Sequence, residues 1–380
     1  MRDKIKVLQL GKQYHPHLGG IEKTMQQMAE GIQDKVDSYV LATQDKGEAY
    51  NAIINGVPVH YAKSWGIVAS MPISFDLIMY LRKHSSEYDI IHLHMPFPLG
   101  DLACLLSGFK GKLILYWHSD VVRQKKMMLF YKPLMNWTLK RADAIAVATQ
   151  GNINGSPYIK RFEKKCVLIP FGLRKEWEEK SDKYWISRLD HKGDINEKLH
   201  LLFIGRLVYY KGCDILINAM VKLKELPIDL TIIGSGAMEE ELKKRTIQLG
   251  LGEKVNFKGR VSDEEMEREI TNCDVFVFPS VANSEAFGLV QLEVMAYGKP
   301  VINTSLATGV PWVSLNGING LTVPPLNSQA LADAIRWMWE NPAGRREMGI
   351  NARERVKSEF NHEKMIGQIL ELYNGLVSEI

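Results

Sequence analysis

The sequence predicts an α/β protein with two domains, each built on a doubly wound parallel sheet. Short apolar runs rich in β-branched or aromatic residues alternate with segments of helical periodicity along almost the whole chain, which indicates parallel strands joined by right-handed helical crossovers. At 380 residues the chain is too long for one ordinary core, and two domains of roughly 150–200 residues are expected. The polar, weakly periodic segment 177–198 separates the two alternating series, so we expect the domain boundary there.

Composition and charge narrow the class of protein. Apolar residues make up 46% of the sequence and charged residues 24%, as in soluble globular domains. The net charge of +4 is too small to indicate a nucleic-acid partner. The four cysteines lie apart, mostly in apolar runs, which favours reduced thiols over disulfides or a zinc site. No signal peptide is visible, and no apolar run approaches the ~20 residues of a membrane span, so we expect a cytoplasmic protein.

Each predicted element follows from its local pattern. Strands are short apolar runs that end at polar or glycine-containing loops, and helices have apolar residues every three or four positions. In the first half, strands are predicted at 4–10, 38–42, 57–62, 89–94, 112–116, 144–149 and 166–170, and helices at 21–32, 75–84, 99–106 and 131–141. In the second half, strands are predicted at 200–204, 230–233, 255–258, 275–278, 301–304 and 321–323, and helices at 213–223, 238–249, 264–272, 331–339, 345–360 and 362–377.

The stretch 279–300 is the most informative part of the sequence. A buried strand ends at Pro279, a polar loop carries Glu285, and the short helix that follows carries Glu293. Because Glu285 precedes the helix, the two carboxylates need not share a helical face. Loops at the carboxyl ends of strands line the crevice where open α/β sheets bind ligands.

This stretch resembles the E-x7-E signature of retaining, nucleotide-sugar-dependent glycosyltransferases of family 4, whose GT-B fold has two Rossmann-like domains facing each other across a cleft. The resemblance implies that Glu285 contacts hydroxyl groups of the donor sugar and that Glu293 holds the ribose hydroxyls. Backbone N–H groups of Phe287, Gly288 and Leu289 would face the sugar and phosphates, as the positive end of a helix favours. Taken alone, two glutamates at this spacing also fit an ordinary amphipathic helix with solvated acids.

The loop 205–212, Gly-Arg-x4-Lys-Gly, is similar to the pyrophosphate clamp of the same family. The resemblance assigns Arg206 and Lys211 to the diphosphate leaving group, whose departure is easier when its charge is neutralised. Two surface cations are the alternative. No Asp-x-Asp occurs in the sequence, so we expect a reaction that uses neither a metal nor another cofactor.

Three further loops resemble the family's landmarks around the donor. The loop 16–22 matches P-x-x-G-G-x-E, in which Gly19 and Gly20 allow close approach to the donor phosphates and the acceptor. Gly234 and the pair Arg260-Val261 border the nucleotide in the family. Each glycine taken singly fits a tight turn equally well.

His118 follows the buried strand 112–116, at its carboxyl end. The resemblance implies that His118 contacts the donor sugar, and a buried structural histidine is the alternative. His92 and His94 share one face of the strand 89–94, with no third ligand at metal spacing, so we interpret them as wall residues.

The stretch 123–133 mixes cations with Met, Leu, Phe and Tyr side chains, a composition that suits a lipid headgroup region. Family members that build surface polysaccharides often dock this part on the membrane, so Arg123, Lys125 and Lys126 are predicted to contact the inner membrane surface. Arg123 and Lys126 alternatively bind an acceptor phosphate, and a plain helix with one charged face fits equally well. Asp120 is predicted to serve the acceptor, with a solvated loop acid as the alternative.

The resemblance as a whole predicts an acceptor-binding domain at 1–180 plus 362–380 and a nucleotide-sugar-binding domain at 181–361. The expected reaction moves a hexose, with retention, from a nucleoside-diphosphate sugar to a saccharide or lipid-linked acceptor of polysaccharide or lipopolysaccharide O-antigen. The segment 308–314 resembles that of bacterial surface-polysaccharide enzymes, several of which use GDP-mannose, so the resemblance favours GDP-mannose as the donor. The alternatives are a sugar-nucleotide epimerase of the same fold and a non-catalytic sugar-nucleotide-binding protein. A nicotinamide oxidoreductase is disfavoured because Glu239 replaces the third glycine of the dinucleotide fingerprint.

Overall fold

The computed structural model describes residues 4–17, 19–68, 71–120, 125–187 and 198–378, and of residues 125–127 the backbone only. The chain divides into two compact units. Unit 1 comprises Met1–Phe171 and His362–Ile380, and unit 2 comprises Gly172–Asn361.

Unit 1 contains, within its described residues, an eight-stranded sheet and a separate two-stranded ribbon. Its strands are β1 (Lys6–Leu10), β2 (Asp37–Thr43), β3 (Tyr50–Ile54), β4 (Val57–Ala62), β5 (Ile67–Val68), β6 (Met71–Pro72), β7 (Ile90–Met95), β8 (Lys112–Trp117), β9 (Ala144–Val147) and β10 (Cys166–Leu168). The sheet order is β10-β9-β8-β7-β1-β2-β4-β3, and β5 pairs with β6. The order reverses between β1 and β7, so the loops after these two strands diverge and leave a crevice at the carboxyl edge.

One edge of this sheet departs from the predicted all-parallel pattern. Strand β3, which was not predicted, pairs antiparallel with β4. Asn55 and Gly56 join the two strands, with φ of 48° and 86°. Positive φ at both positions of an Asn-Gly pair is typical of a two-residue hairpin turn. The Asn-Gly signal is present in the sequence, but the strand–helix alternation elsewhere favours an all-parallel sheet.

The two faces of the unit 1 sheet differ in chemistry. Its helices are α1 (Gly20–Ile32), α2 (Phe75–His84), α3 (Pro98–Ser107), α4 (Lys125–Arg141), α5 (Gln150–Gly155) and, from the end of the chain, α14 (His362–Val377). Aliphatic side chains such as Leu93 and Leu115 pack with α2, α3 and α4 in one core cluster. The opposite face carries Gln9, His92 and His94, also buried, because alternate residues of a strand point to opposite faces.

The described part of unit 2 holds a six-stranded parallel sheet of order β13-β12-β11-β14-β15-β16. The strands are β11 (Leu199–Ile204), β12 (Ile228–Ile233), β13 (Val255–Gly259), β14 (Val275–Val277), β15 (Val301–Thr304) and β16 (Gly320–Val323). The helices are α6 (Lys175–Ser187), α7 (Cys213–Lys222), α8 (Glu239–Gln248), α9 (Asp263–Asn272), α10 (Leu289–Ala296), α11 (Val310–Val313), α12 (Ser328–Glu340) and α13 (Pro342–Glu359). This is the Rossmann strand order, with its reversal between β11 and β14.

The division between the units lies at Phe171/Gly172, nine residues before the predicted position 180. The difference arises from α6, most of which lies in the segment 177–198 where the boundary was predicted. Trp177 and Ser181 are buried on this helix, and α6 packs against α10 of unit 2. One buried tryptophan among many charged residues gives a weak periodic signal, so the helix was missed.

Asp101 on α3 is a buried carboxyl group outside the candidate active site. One of its oxygens, Oδ2, accepts a hydrogen bond from the Tyr131 hydroxyl, and Oδ1 has no hydrogen-bond partner among the residues that the structure describes. Burial raises the pKa of Asp101 to about 7. The folded state therefore holds this proton more tightly than the unfolded chain, where an aspartate pKa is about 3.9.

We expect Asp101 to lower the stability of the protein as the pH rises from about 4 to about 7. The folded state binds more protons than the unfolded state over this window, so the free energy of unfolding falls with pH. Asp101→Asn keeps an acceptor for Tyr131 and carries no charge. It should be more stable than the wild type by at least about 1 kcal/mol at pH 8, with a smaller or opposite difference at pH 5.

Urea unfolding at the two pH values measures this difference. Asp34→Asn, at an exposed position of the same unit, serves as the control and should show no pH-dependent gain. Equal effects of the two substitutions at pH 8 would contradict the assignment.

Candidate active site

The strand reversal in unit 2 brings two predicted motifs together. Lys211 lies in the loop that leaves β11, and Glu285 lies in the loop that leaves β14. The Nζ atom of Lys211 is 2.5 Å from Oε2 of Glu285, and the two side chains are 13% and 11% exposed. Ser280 Oγ lies 3.4 Å from the same oxygen, and the ammonium group sits 4.9 Å above the Phe278 ring. The result is a shielded pair of opposite charges beside the switch point.

Close backbone packing holds these two loops in register. Gly212 has a φ of +67°, and a Cβ atom there would lie 2.0 Å from the carbonyl oxygen of Pro279. The amide of Val281 donates to the carbonyl of Tyr210 at 2.8 Å. Any side chain at Gly212 would therefore push the Lys211 loop away from the Glu285 loop.

Arg206 and Arg260 lie on neighbouring loops and are exposed. Arg206 donates to the Tyr210 hydroxyl at 2.5 Å. Arg260, which follows β13, donates through Nε to Ser235 Oγ at 2.8 Å. Gly234, after β12, approaches the β11 loop so closely that a Cβ atom would lie 2.0 Å from the Gly205 carbonyl oxygen. The loops that carry Arg206, Gly234 and Arg260-Val261 thus follow three adjacent strands.

Helix α10 begins directly after Gly288, whose φ of +80° is left-handed. A Cβ atom on Gly288 would lie 2.6 Å from the Phe278 ring. Phe287 is buried and packs edge-to-face on Phe360, so it anchors the loop. Leu289 opens the helix, whose first backbone N–H groups make its amino end suited to an anion.

Glu293, in the second turn of α10, has a cationic neighbour that the sequence analysis did not identify. Arg174 places its Nη2 atom 3.7 Å from Glu293 Oε1 and 3.7 Å from Asp263 Oδ2. Its guanidinium also lies 5.7 Å from the Trp177 ring centroid. Arg174 precedes α6, in a segment without periodicity or motif, so the sequence offered no signal for this pairing.

In unit 1, His118 follows β8 at the carboxyl edge of the sheet. Its amide donates to the Met95 carbonyl at 3.1 Å, and its Nε2 atom lies 2.9 Å from Nδ1 of His94. Burial, together with His92, lowers the pKa of His118 to about 3, so the ring is neutral at physiological pH. The interpretation of His92 and His94 as wall residues was incomplete, because both belong to a buried hydrogen-bonded series with His118.

The other predicted site residues of unit 1 either lie near the same edge of the sheet or fall outside the described residues. Gly19 caps α1 and Gly20 opens it, and both are exposed. Asp120 accepts hydrogen bonds from Trp117 Nε1 at 2.9 Å and Ser156 Oγ at 2.7 Å, and burial raises its pKa; it is not the freely solvated loop acid of the alternative interpretation. Lys125 and Lys126 begin α4, six residues before its predicted start. Their side chains, and all of Arg123, lie outside the described residues.

Comparison with known proteins identifies the chain's relatives. Residues 187–355 match the family described as Glycosyl transferases group 1, and residues 18–151 match Glycosyltransferase Family 4. The chain is 33% identical to the D-rhamnosyltransferase WbpZ of Pseudomonas aeruginosa, over 94% of its own length and 92% of the relative. It is 31% identical to the O-antigen chain mannosyltransferase C of Escherichia coli, over 98% and 99% of the two chains.

Solved structures agree on the fold. The Anabaena HepE protein in complex with UDP matches with a TM-score of 0.77 at 20% identity, over 98% of this chain and all of that one. A sucrose-phosphate synthase from Thermosynechococcus elongatus matches with a TM-score of 0.76 at 21% identity, over 99% of this chain and all of that one. The predicted fold class, two Rossmann-like α/β domains of the GT-B type, is confirmed. With matches to both family descriptions and relatives above 30% identity along nearly the full length, the chain belongs to the family 4 glycosyltransferases.

Proposed function

We propose that this glycosyltransferase moves a hexose, with retention of configuration, from a nucleoside-diphosphate sugar to a saccharide or lipid-linked acceptor during O-antigen synthesis. The observation that carries the proposal is the shielded Lys211–Glu285 pair at the switch point, where open α/β sheets bind nucleotides. The name of the O-antigen chain mannosyltransferase relative supports a role in O-antigen synthesis.

In this proposal each charged group has a separate task. Glu285 orients hydroxyl groups of the donor sugar, and Glu293 holds the ribose. Lys211 and Arg206 stabilise the diphosphate as the bond from the anomeric carbon to the phosphate oxygen breaks. Phe287, Gly288 and Leu289 turn the amino end of α10 toward the phosphates.

Retention follows from a same-face reaction. A double displacement needs a free carboxylate beneath the anomeric carbon, and in this proposal the hydroxyl groups of the donor sugar already occupy Glu285. The acceptor oxygen therefore forms its bond on the face that the diphosphate leaves. The departing phosphate oxygen takes the acceptor proton, and no metal ion or other cofactor is required.

The donor is proposed to be GDP-mannose. D-Rhamnose, the sugar named for the Pseudomonas relative, is 6-deoxymannose, so both close relatives act on sugars of one configuration. Gly234, Arg260 and Val261 line the nucleotide end, and Gly19, Gly20 and His118 of unit 1 serve the sugar and phosphates. Asp120 positions the acceptor.

An apolar and basic surface of unit 1 is proposed to rest on the cytoplasmic face of an anionic membrane. On α4, Leu129 is 76% and Phe130 84% exposed. Exposed apolar side chains also occur on the neighbouring α2, α3 and β5–β6 ribbon, among them Val68 and Phe75, and exposed cations such as Lys132 lie among these elements. Large apolar patches with basic neighbours suit an anionic lipid surface. Arg123, Lys125 and Lys126 precede Leu129 and Phe130 in the sequence, and they are proposed to contact the same membrane.

Among the described residues, no helix has the length and apolar composition needed to cross a bilayer.

Removing the charges at the switch point should lower kcat more than it weakens binding of the donor. Lys211→Ala should lower kcat by about 100-fold or more, since transition-state charge loses its stabilisation. Glu285→Gln and Arg206→Ala should also lower kcat/KM. Lys258→Ala, which removes a lysine paired with Glu269 at 3.1 Å on β13, is the matched control and should stay within about twofold.

Steady-state kinetics with GDP-mannose and purified acceptor measure these effects, and added EDTA should leave the wild-type rate unchanged. Incubation with the donor alone separates transfer from epimerisation. Near-wild-type turnover in all three site variants would refute the site.

Thermal shift should rank GDP above UDP, ADP and dTDP. At about 100 times its dissociation constant, a nucleotide adds about 2.7 kcal/mol to the stability of the folded state. If Glu293 holds the ribose, the wild type should prefer GDP to 2′-deoxy-GDP, and Glu293→Ala should lose that preference. A larger shift with UDP than with GDP would reject the donor assignment while leaving the fold and family unaffected.

Replacing Leu129 and Phe130 by Ser should weaken binding to vesicles that contain anionic phospholipid by at least about tenfold, because both apolar contacts with the lipid are lost. Ile53→Ser, which removes a side chain of similar exposure on β3, is the control. Co-sedimentation of the full chain measures partitioning, and turnover with a water-soluble acceptor should not change. Equal partitioning of both variants would argue against membrane contact through α4.

A further inference from the structure

A continuous series of buried hydrogen bonds links α14 to His118 within unit 1. Gln9 donates through Nε2 to the Tyr373 hydroxyl at 3.0 Å. Gln9 Oε1 lies 2.9 Å from His94 Nε2, and His94 Nδ1 lies 2.9 Å from His118 Nε2. At the other end, the Tyr373 hydroxyl lies 2.6 Å from His92 Nδ1. We call Tyr373, Gln9, His94 and His118 the histidine relay.

The strand register produces this alignment. Gln9 on β1 pairs with His92 on β7, and His94 on β7 pairs with Tyr116 on β8. Residues paired across neighbouring parallel strands lie on the same face of the sheet, and so do residues two positions apart on one strand. His118 lies two residues after Tyr116. The relay therefore crosses three strands to the carboxyl edge of the sheet.

A polar series in the middle of a buried sheet needs a physical reason. Parallel sheets covered on both faces normally carry aliphatic side chains, and an amide or hydroxyl group buried without a partner destabilises the folded state. Gln9 and Tyr373 are completely buried and His94 is 1% exposed. Aliphatic residues would fill this space without such a requirement, and they would leave His118 without a buried partner.

The relay determines where the proton of each ring lies. Burial lowers the pKa of His118 to about 3 and that of His94 well below its ordinary value, so each ring is neutral and has one N–H group. Because Gln9 Oε1 accepts, His94 carries its proton on Nε2. Its Nδ1 atom then accepts from His118, whose proton must be on Nε2. His118 is left with an unprotonated Nδ1, which accepts hydrogen bonds.

We propose that Gln9 and His94, with Tyr373 orienting the amide, hold His118 as the Nε2–H tautomer, so that its Nδ1 accepts a hydrogen bond from a hydroxyl group of the transferred sugar. The proposal rests on the proposed function for the sugar contact alone. The tautomer itself is a property of unit 1 without ligand. Gln9, His94 and Tyr373 are positioning residues, since they act through His118.

Nitrogen NMR of the full-length protein without ligand tests the tautomer. Selective ¹⁵N-histidine labelling with long-range ¹H–¹⁵N correlation distinguishes a protonated ring nitrogen from an unprotonated one, and the spectrum of His118→Gln assigns the signals. The expected result is a protonated Nε2 and an unprotonated Nδ1 at His118. A protonated Nδ1, which a reversed Gln9 amide would produce, or a mixture of tautomers would overturn the proposal whatever the enzyme transfers.

Variants of Gln9 then connect the tautomer to turnover. Gln9→Met is of similar length but offers no hydrogen bond, so His118 should populate both tautomers and kcat/KM should fall about three- to tenfold. Gln9→Glu still offers an acceptor to His94, so it should keep the wild-type tautomer and rescue most of the activity. Tyr116→Phe removes another buried hydroxyl, which donates to the Ile169 carbonyl outside the relay, and should leave both readouts unchanged.

These outcomes separate positioning from mere packing. A tautomer that stays the same in Gln9→Met, or activity lost equally in Gln9→Met, Gln9→Glu and Tyr116→Phe, would mean that the polar residues serve only the core. If His118 has the expected tautomer but the protein transfers no sugar, the proposed function is rejected and the role of the relay in fixing the tautomer is retained.

Discussion

The architecture of the unit 2 site depends on one constraint, the reversal of strand order between β11 and β14. All the strands of a parallel sheet end at the same edge, and at a reversal the connections that follow the two strands lead to opposite faces of the sheet. Lys211 and Glu285, far apart in sequence, leave two neighbouring strands at this point. Their loops converge because Gly212 has no side chain to separate it from Pro279. The ion pair is therefore a consequence of topology and of one glycine.

Stability alone does not account for the Lys211–Glu285 pair. Taking two charges out of water costs several kcal/mol per ion, and well-packed apolar residues are often at least as stabilising. A functional reason for the pair is that groups of a bound ligand can replace each partner. A diphosphate offers Lys211 a second anion, and sugar hydroxyls offer Glu285 new donors, so ligand binding would replace the interactions that it breaks. Ser280 contacts Glu285 and the Phe278 ring lies beside Lys211, and neither contact would have to break in such an exchange.

The sequence predicted those parts of the fold and site that depend on local pattern. The buried strands of both sheets, the helix after Glu285 and the loop that contains Lys211 carry such patterns. The sequence alone did not indicate the Arg174–Glu293 contact, because Arg174 lies in a segment whose position is set by the packing of α6. Strand β3 was missed although its Asn55-Gly56 turn was visible. The histidine relay was also missed, since it requires the register of β1, β7 and β8 as well as a residue from the last helix.

That last helix gives the two ends of the chain a shared role. Helix α14 packs on α1 and brings Tyr373 to the polar face of the unit 1 sheet, where it contacts Gln9 on β1. The Tyr373 hydroxyl also lies 2.6 Å from His92 Nδ1. When it donates to that nitrogen, its oxygen accepts from the Gln9 amide, which favours one orientation of the amide. A fixed orientation of the Gln9 amide determines which ring nitrogen of His94, and through it of His118, carries the proton. The return of the chain to unit 1 thus contributes an orienting group as well as apolar surface, and it ties the geometry around His118 to the correct docking of the final helix.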